Sequence, residues 1–181
     1  YTFTKHKIII IMQLTDYIRS IKDFPKEGIL YKDITPLLMD SKACSYAVSE
    51  LIKNLDGKPV DKVVGIESRG FLFGMLLAQA LNVGFVPIRK PGKLPAQIIS
   101  QSYDLEYGSD TIEIHEDAIQ KNDRVLIHDD LLATGGTAAA ACQLVEKLGG
   151  DIVQVNFIIE LDILEGRKLL PKDKINALIH Y

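Results

Sequence analysis

From residue 60 onward, short continuous apolar runs alternate with stretches whose apolar residues recur at helical spacing. Residues 63–66, 85–88, 125–127 and 152–159 read as strands, and 175–179 as a last, edge strand. Between them, residues 71–81 are almost wholly apolar and predict a helix lying against the sheet. Residues 137–148 predict another helix, closed by Gly149-Gly150. Alternation of strands and helices, with the strands largely continuous apolar runs, predicts an α/β fold with a mostly parallel central sheet and helices on both faces. The earlier part of the chain follows a different pattern. Leu14, Tyr17, Ile18 and Ile21 share one face of a predicted short helix over 14–21. Phe24-Pro25 and Gly28 break it, and 29–31 is a brief extended piece. Thr35-Pro36 opens a helix. A second helix over 41–55 carries Cys44, Ala47, Val48, Leu51, Ile52 and Leu55 on its buried side, and Gly57 and Pro59 end it.

Two stretches stand outside this alternation. Residues 93–113 hold few core candidates and many Gly, Ser, Gln and Tyr residues. Segments 97–103 and 111–114 can pair there as an antiparallel flap, the usual form of a functional loop. Residues 1–11, YTFTKHKIIII, have no cap, amphipathic period or cleavage site. They are expected to be a non-native, upstream or disordered extension, a β-rich arm being the competing reading. The remaining 12–181 is expected to form one domain.

Composition narrows the function. A chain of 181 residues with 47% apolar and 25% charged residues is ordinary globular material. Its formal charge of −3 argues against non-specific nucleic-acid binding. An anionic ligand must therefore be met by local cations. Cys44 and Cys142 fall on apolar helix faces and read as buried free thiols, which fits a reducing, cytoplasmic setting. No apolar run approaches the ~20 residues of a membrane span.

The stretch 125–141, VLIHDDLLATGGTAAAA, carries the chemistry. A short strand over 125–128 leads to Asp129 and Asp130, then a turn through Ala133, Thr134, Gly135, Gly136 and Thr137 opens a helix. Glycines let the backbone approach an anion, and the free N–H groups of a first helical turn point at it. Two carboxylates beside a phosphate suit sugar hydroxyls, so the pattern reads as a ribose 5-phosphate site. Neither a GxxxxGK[ST] loop nor a GxGxxG fingerprint occurs. This stretch closely resembles the phosphoribosyl pyrophosphate (PRPP) motif of type I phosphoribosyltransferases.

Three further stretches support it. Glu67-Ser68-Arg69-Gly70 joins a strand to a helix, and its arginine fork suits phosphate oxygens. Arg89-Lys90-Pro91-Gly92-Lys93 is a basic cluster at another strand end, in a chain of net negative charge. Tyr103-Asp104-Leu105-Glu106-Tyr107-Gly108 places a carboxylate between tyrosines on the flap, where it can take a proton from a ring nitrogen.

With DFPKEGILYKDITPLL, VVGIESRGFLFG, IRKPGKLP and SYDLEYG in order and spacing, the chain from residue 12 onward resembles the adenine phosphoribosyltransferase family. The resemblance implies the type I phosphoribosyltransferase fold, with a small N-terminal hood over about 12–40 and a flexible catalytic loop over about 94–114. It implies transfer of a phosphoribosyl group from PRPP to N9 of adenine, giving AMP and pyrophosphate, with Mg²⁺ carried by the pyrophosphate and no protein ligand to the metal assigned. It implies that Glu106 handles the proton and Tyr107 covers the reacting centre. Asp129 and Asp130 hold the ribose hydroxyls, and Ala133, Thr134, Gly135, Gly136 and Thr137 cradle the 5′-phosphate. Arg69, Lys90 and Lys93 face the pyrophosphate, and Ile29, Leu30, Lys32 and Leu161 border the adenine. A homodimer is implied too.

Three positions depart from the family pattern. Lys32 and Pro91 replace common basic residues, an arginine in the first case. His128 stands where an aliphatic residue is usual, and reads as a core histidine bonded to a neighbour, with a pH-sensitive link to Asp129 as the alternative. Two other functions stay open from residues alone. One is transfer to xanthine or a 6-oxopurine. The other is a PRPP-sensing, nucleic-acid-binding regulator, for which the chain offers neither a basic stripe nor room for an added helix-turn-helix.

Overall fold

The computed structural model describes residues 12–104 and 108–181. The expectations for residues 1–11, Glu106 and Tyr107 lie outside the described residues. Two compact units divide between Ala47 and Val48.

In the first unit, a 3-10 turn at Leu14–Tyr17 precedes an antiparallel pair, β1 (Arg19–Lys22) and β2 (Leu30–Asp33). The helix predicted over 14–21 is thus corrected to a turn and a strand. A two-turn helix is marginal by itself. Here the ladder with β2 wins, backed by an ion pair from Arg19 Nη2 to Asp33 Oδ2 at 2.7 Å. Helix α1 (Thr35–Met39) starts beside the expected Thr35-Pro36. Asp33 organises that start: its Oδ1 accepts from the Thr35 N–H at 2.9 Å and from the Thr35 hydroxyl at 2.5 Å. Helix α2 (Ser41–Lys53) is capped by Asp40, whose Oδ1 accepts from the Lys42 and Ala43 amides at 2.9 Å.

The second unit is built on five parallel strands in the order β4-β3-β7-β8-β9, with β9 at the edge as expected. These are β3 (Lys62–Ile66), β4 (Gly84–Ile88), β7 (Arg124–Leu132), β8 (Asp151–Glu160) and β9 (Ile175–His180). Helix α3 (Gly70–Leu81) links β3 to β4, and α4 (Gly136–Lys147) links β7 to β8. One crossover steps left along the sheet and the other steps right. Right-handed connections then put α3 and α4 on opposite faces. The alternation along β7 agrees: Val125 and Ile127 join the core with Leu144 and Val145 of α4, while the His128 ring lies 6.3 Å from that of Phe73 in α3.

Strand β7 runs further than expected. It continues through Asp129 and Asp130 to Leu132, because β8 pairs with it as far as Leu132↔Glu160. The two acids therefore sit inside a ladder rather than after it.

The flap is an antiparallel hairpin of β5 (Ile98–Asp104) and β6 (Ser109–His115). It carries more core than its composition suggests. Ile112 and Ile114 are fully buried in the main cluster, with Ile99 and Tyr103 packed against it. The amide and carbonyl of Arg89, just past β4, bond reciprocally with Glu113 at 2.9 and 2.8 Å.

Candidate active site

The stepping of the connections along the sheet reverses between the parallel strands β3 and β7: from one the path leads left, from the other right. In open parallel sheets the crevice beyond such a switch point takes the ligand. The two loops that flank it are the Glu67–Gly70 segment and the Ala133–Thr137 turn.

At the second loop, Gly135 has φ +85° and caps α4. The first helical bond at this end runs from the Ala139 N–H to the Gly135 carbonyl at 2.9 Å, so the amides of Gly136, Thr137 and Ala138 lack helical acceptors. They border a cavity of about 80 Å³ whose walls run from Leu131 to Ala138 and include Asp129. Five predicted residues, Ala133 to Thr137, thus line one small polar hollow at a helix N-terminus, with Asp129 on its rim.

Asp130 turns elsewhere, as its neighbour on a strand must. It is buried and ion-paired with Arg69, Nε to Oδ2, at 2.9 Å. That contact spans the crevice between β3 and β7. Asp129 Oδ1 accepts the Asp130 N–H at 2.9 Å. Burial, and then the charge of Asp130, holds the Asp129 carboxyl well above the usual carboxylate range. Burial also raises Asp130, against the pull of Arg69. Two acids this close titrate as a pair.

The basic cluster is pinned by carboxylates. Glu67 accepts from Arg89 Nε and Nη2 at 3.3 Å, from the Lys90 amide at 2.9 Å, and from the Lys93 ammonium. Burial would raise the Glu67 pKa, but the bonds from Lys93, the Lys90 amide and Arg89 outweigh it and bring it down to about 2. The Glu67–Ser68 peptide is cis. Lys90 leans the other way. Its ammonium bonds Asp110 on the flap and the Tyr103 hydroxyl at 3.0 Å.

Leu161 is half-buried just after β8, its N–H bonded to the Leu132 carbonyl at 2.9 Å. Ile29 and Leu30 are exposed in the first unit, and Lys32 is buried there, donating to Ser20 Oγ at 3.0 Å. Burial lowers the Lys32 pKa. The flap approaches the Ala133–Thr137 turn at its base: the Asp104 carbonyl oxygen lies 3.3 Å from where a Cβ on Gly136 would stand.

His128 is fully buried, with Nδ1 2.7 Å from Oδ1 of Asn156, its cross-strand partner. Burial lowers its pKa to about 4. This is the core histidine of the first reading.

Sequence reasoning passed over Glu67 as an anchor, Asp110 and Tyr103 as partners of Lys90, and Gly166 beneath the phosphate loop. The register of the flap was the available signal for one pair, since Tyr103 and Asp110 face each other across it.

The sequence model of the phosphoribosyl transferase domain matches residues 32–176. A curated adenine phosphoribosyltransferase from Flavobacterium johnsoniae is 61% identical over 170 residues, 94% of this chain and 100% of its own length. The crystal structure of adenine phosphoribosyltransferase from Thermoanaerobacter pseudethanolicus superposes with a TM-score of 0.90 at 53% identity, covering 93% of this chain and 98% of that one. The Saccharomyces cerevisiae enzyme, crystallised with an imino-altritol bisphosphate and adenine, superposes with a TM-score of 0.86 at 43% identity, over 91% of this chain and 96% of that one. Resemblance along nearly the whole length, in sequence and in backbone alike, settles the kinship: this chain belongs to the phosphoribosyl transferase family, among the adenine phosphoribosyltransferases.

Proposed function

We infer that this chain transfers the 5-phosphoribosyl group from PRPP to N9 of adenine, releasing AMP and pyrophosphate. The observation that carries the reading is the hollow over the α4 N-terminus at the sheet's switch point, walled by Ala133 to Ala138 and Asp129. Its amides suit the 5′-phosphate. Asp129 on its rim takes the ribose hydroxyls beside it, and the family resemblance assigns Asp130, paired with Arg69, to the same diol. This diol contact favours the acids ionised, and bound sugar hydroxyls lower their pKa from the raised resting position.

The reaction breaks the anomeric C–O bond, whose electron pair leaves with pyrophosphate, and forms the C–N9 bond. Positive charge grows on the sugar and negative charge on the leaving group. Arg69, Lys90 and Lys93 meet the latter. Mg²⁺ brought in with the pyrophosphate would supply further positive charge there, and the Asp129 carboxylate on the rim offers oxygen donors of the kind a hard cation takes. Glu106 accepts the N9 proton and Tyr107 covers the centre. Ile29, Leu30, Lys32 and Leu161 are the adenine contacts that the family resemblance assigns.

The protein acts as a homodimer in the cytoplasm. Leu72, Met75 and Leu76 form an exposed apolar stripe on the outer side of α3, which supports a second copy there. No described helix is long and apolar enough to cross a membrane.

The test is an assay with PRPP and Mg²⁺ against adenine, hypoxanthine, guanine and xanthine in parallel. Adenine alone is expected to yield nucleotide at a high rate. Preference for any oxopurine overturns the base assignment, and no turnover of any base overturns the reaction.

A further inference from the structure

The cations at the end of β4 are divided between two acids of different character. Glu67 is deep, with a side chain 11% exposed, and takes Arg89, Lys93 and the Lys90 amide. Asp110 is shallow, with a side chain 34% exposed, and takes one cation, the Lys90 ammonium, on Oδ2, while its Oδ1 accepts the Thr111 N–H at 2.7 Å. Tyr103 completes that contact. It faces Asp110 across the flap ladder, its hydroxyl lies 3.0 Å from Lys90 Nζ and 3.3 Å from Asp110 Oδ2, and its ring centroid is 5.5 Å from the ammonium.

An ammonium has three protons and no fixed plane. Tyr103 and Asp110 use two of them. A pyrophosphate oxygen can take the place of Asp110 while the neutral tyrosine stays. Both Lys90 and Asp110 are about one-third exposed, so water screens the pair and exchange is cheap. Glu67 is not exchangeable in this way, because two cations and the Lys90 amide hold it in a buried place.

We propose that Asp110 is a positioning residue for Lys90: it keeps the ammonium in place in the empty site, yields it to the leaving group, and by competing for it weakens the hold on pyrophosphate. The proposal rests on the phosphoribosyl-transfer reading. It adds that the flap base carries a charge that favours product release. The backbone of β6 is held independently through Glu113 and Arg89, so changing the Asp110 side chain leaves the hairpin attached.

The test is calorimetric titration of magnesium pyrophosphate into the full chain, using wild type, Asp110→Asn, Asp110→Ser, Lys90→Met and the Asp110→Asn/Lys90→Met double variant. Removing the charge is expected to lower Kd for pyrophosphate by about fivefold in both Asp110 variants. KM for PRPP should fall with it, and the gain should vanish when Lys90 is Met. A residue that merely braces the flap would weaken binding or leave it alone when replaced. Unchanged or weaker binding in both Asp110 variants overturns the proposal, and so does an equal gain without Lys90. If wild type itself fails to bind pyrophosphate, the phosphoribosyl-transfer reading falls as well, so the two failures are told apart by the wild-type titration.

Discussion

Gly135 and Gly166 meet backbone to backbone beneath the phosphate loop. A Cβ on Gly135 would lie 2.4 Å from the Gly166 carbonyl oxygen, and a Cβ on Gly166 would lie 2.3 Å from the Ala133 carbonyl oxygen. The turn that contains Gly166 is fixed in turn by Arg167, whose Nε donates to the buried Glu160 at 2.7 and 2.9 Å. Neither partner of this contact is a flexible side-chain end that can swing away.

Gly135→Ala should therefore be costly twice, through the left-handed φ of +85° and through the clash. We expect a loss of about 2–4 kcal/mol in urea unfolding and a large rise in KM for PRPP. Gly92→Ala is the control, since it too has positive φ but nothing within 4 Å of the added carbon, and it should lose only about 1 kcal/mol.

Glu67 ties stability to acid pH. Its folded pKa of about 2 lies below the ordinary 4.5, so its contribution is complete above about pH 4.5 and disappears as pH falls toward 2. Glu67→Gln should melt below wild type at pH 7, with the gap closing steadily between pH 4.5 and 2. Its KM for PRPP should rise, because Arg89 and Lys93 lose their common anchor.

His128 acts in the same direction, through burial of a neutral ring rather than through charge partners. Its folded pKa is about 4 against 6.5 in the open chain, so below pH 6.5 unfolding takes up a proton that the folded state refuses. Stability is lost from pH 6.5 down to about 4, by up to ~3 kcal/mol for this one group. His128→Leu should flatten that part of the stability curve. At pH 7 the variant should be weaker by about 1–3 kcal/mol, since Asn156 loses its partner. Chemical unfolding at several pH values measures both.

Glu106→Ala should cut kcat by about 10²- to 10⁴-fold while PRPP still binds, if the carboxylate handles the adenine proton. Single-turnover rates and PRPP titration separate the two effects. Unchanged turnover removes the assignment.

Met75→Glu places a charge in the middle of the α3 stripe, where the native side chain is 55% exposed. The folded protomer should tolerate it, whereas a dimer packed on this stripe should dissociate. Sedimentation at micromolar concentration reads the outcome.

The sheet was legible because its strands are apolar on both sides. Val63 to Ile66 has no polar face to confuse with a helix or a loop, and only Gln154 and Asn156 interrupt the apolar run from Ile152 to Ile159. The turn that opens α4 was legible because few residue types satisfy its backbone at Gly135. Residues 14–21 misled because Leu14, Tyr17, Ile18 and Ile21 fit helical spacing, while the ion pair that decides for a strand joins Arg19 to Asp33, far along the chain. The extent of β7 was hidden for a related reason: aspartates are depleted in strands, but here a ten-residue β8 runs alongside them. Nothing in the local pattern singles out Glu67 or Asp110, and only the fold brings their cations within reach. Helix α3 read correctly as sheet-packed through Phe73 and Leu77, but uniform apolarity could not say that Leu72, Met75 and Leu76 would face outward.

The order β4-β3-β7-β8-β9 has a consequence for how the protein comes into being. Val64 lies beside Ile127 in adjacent parallel strands, so about sixty intervening residues must be looped out before these strands can meet. Until that closure happens, Arg69 and Asp130 belong to distant parts of a coil and no ligand can recruit them. Synthesis from the ribosome must pass beyond residue 132 before a substrate could offer any assistance, and nascent chains stalled earlier should be beyond rescue by PRPP.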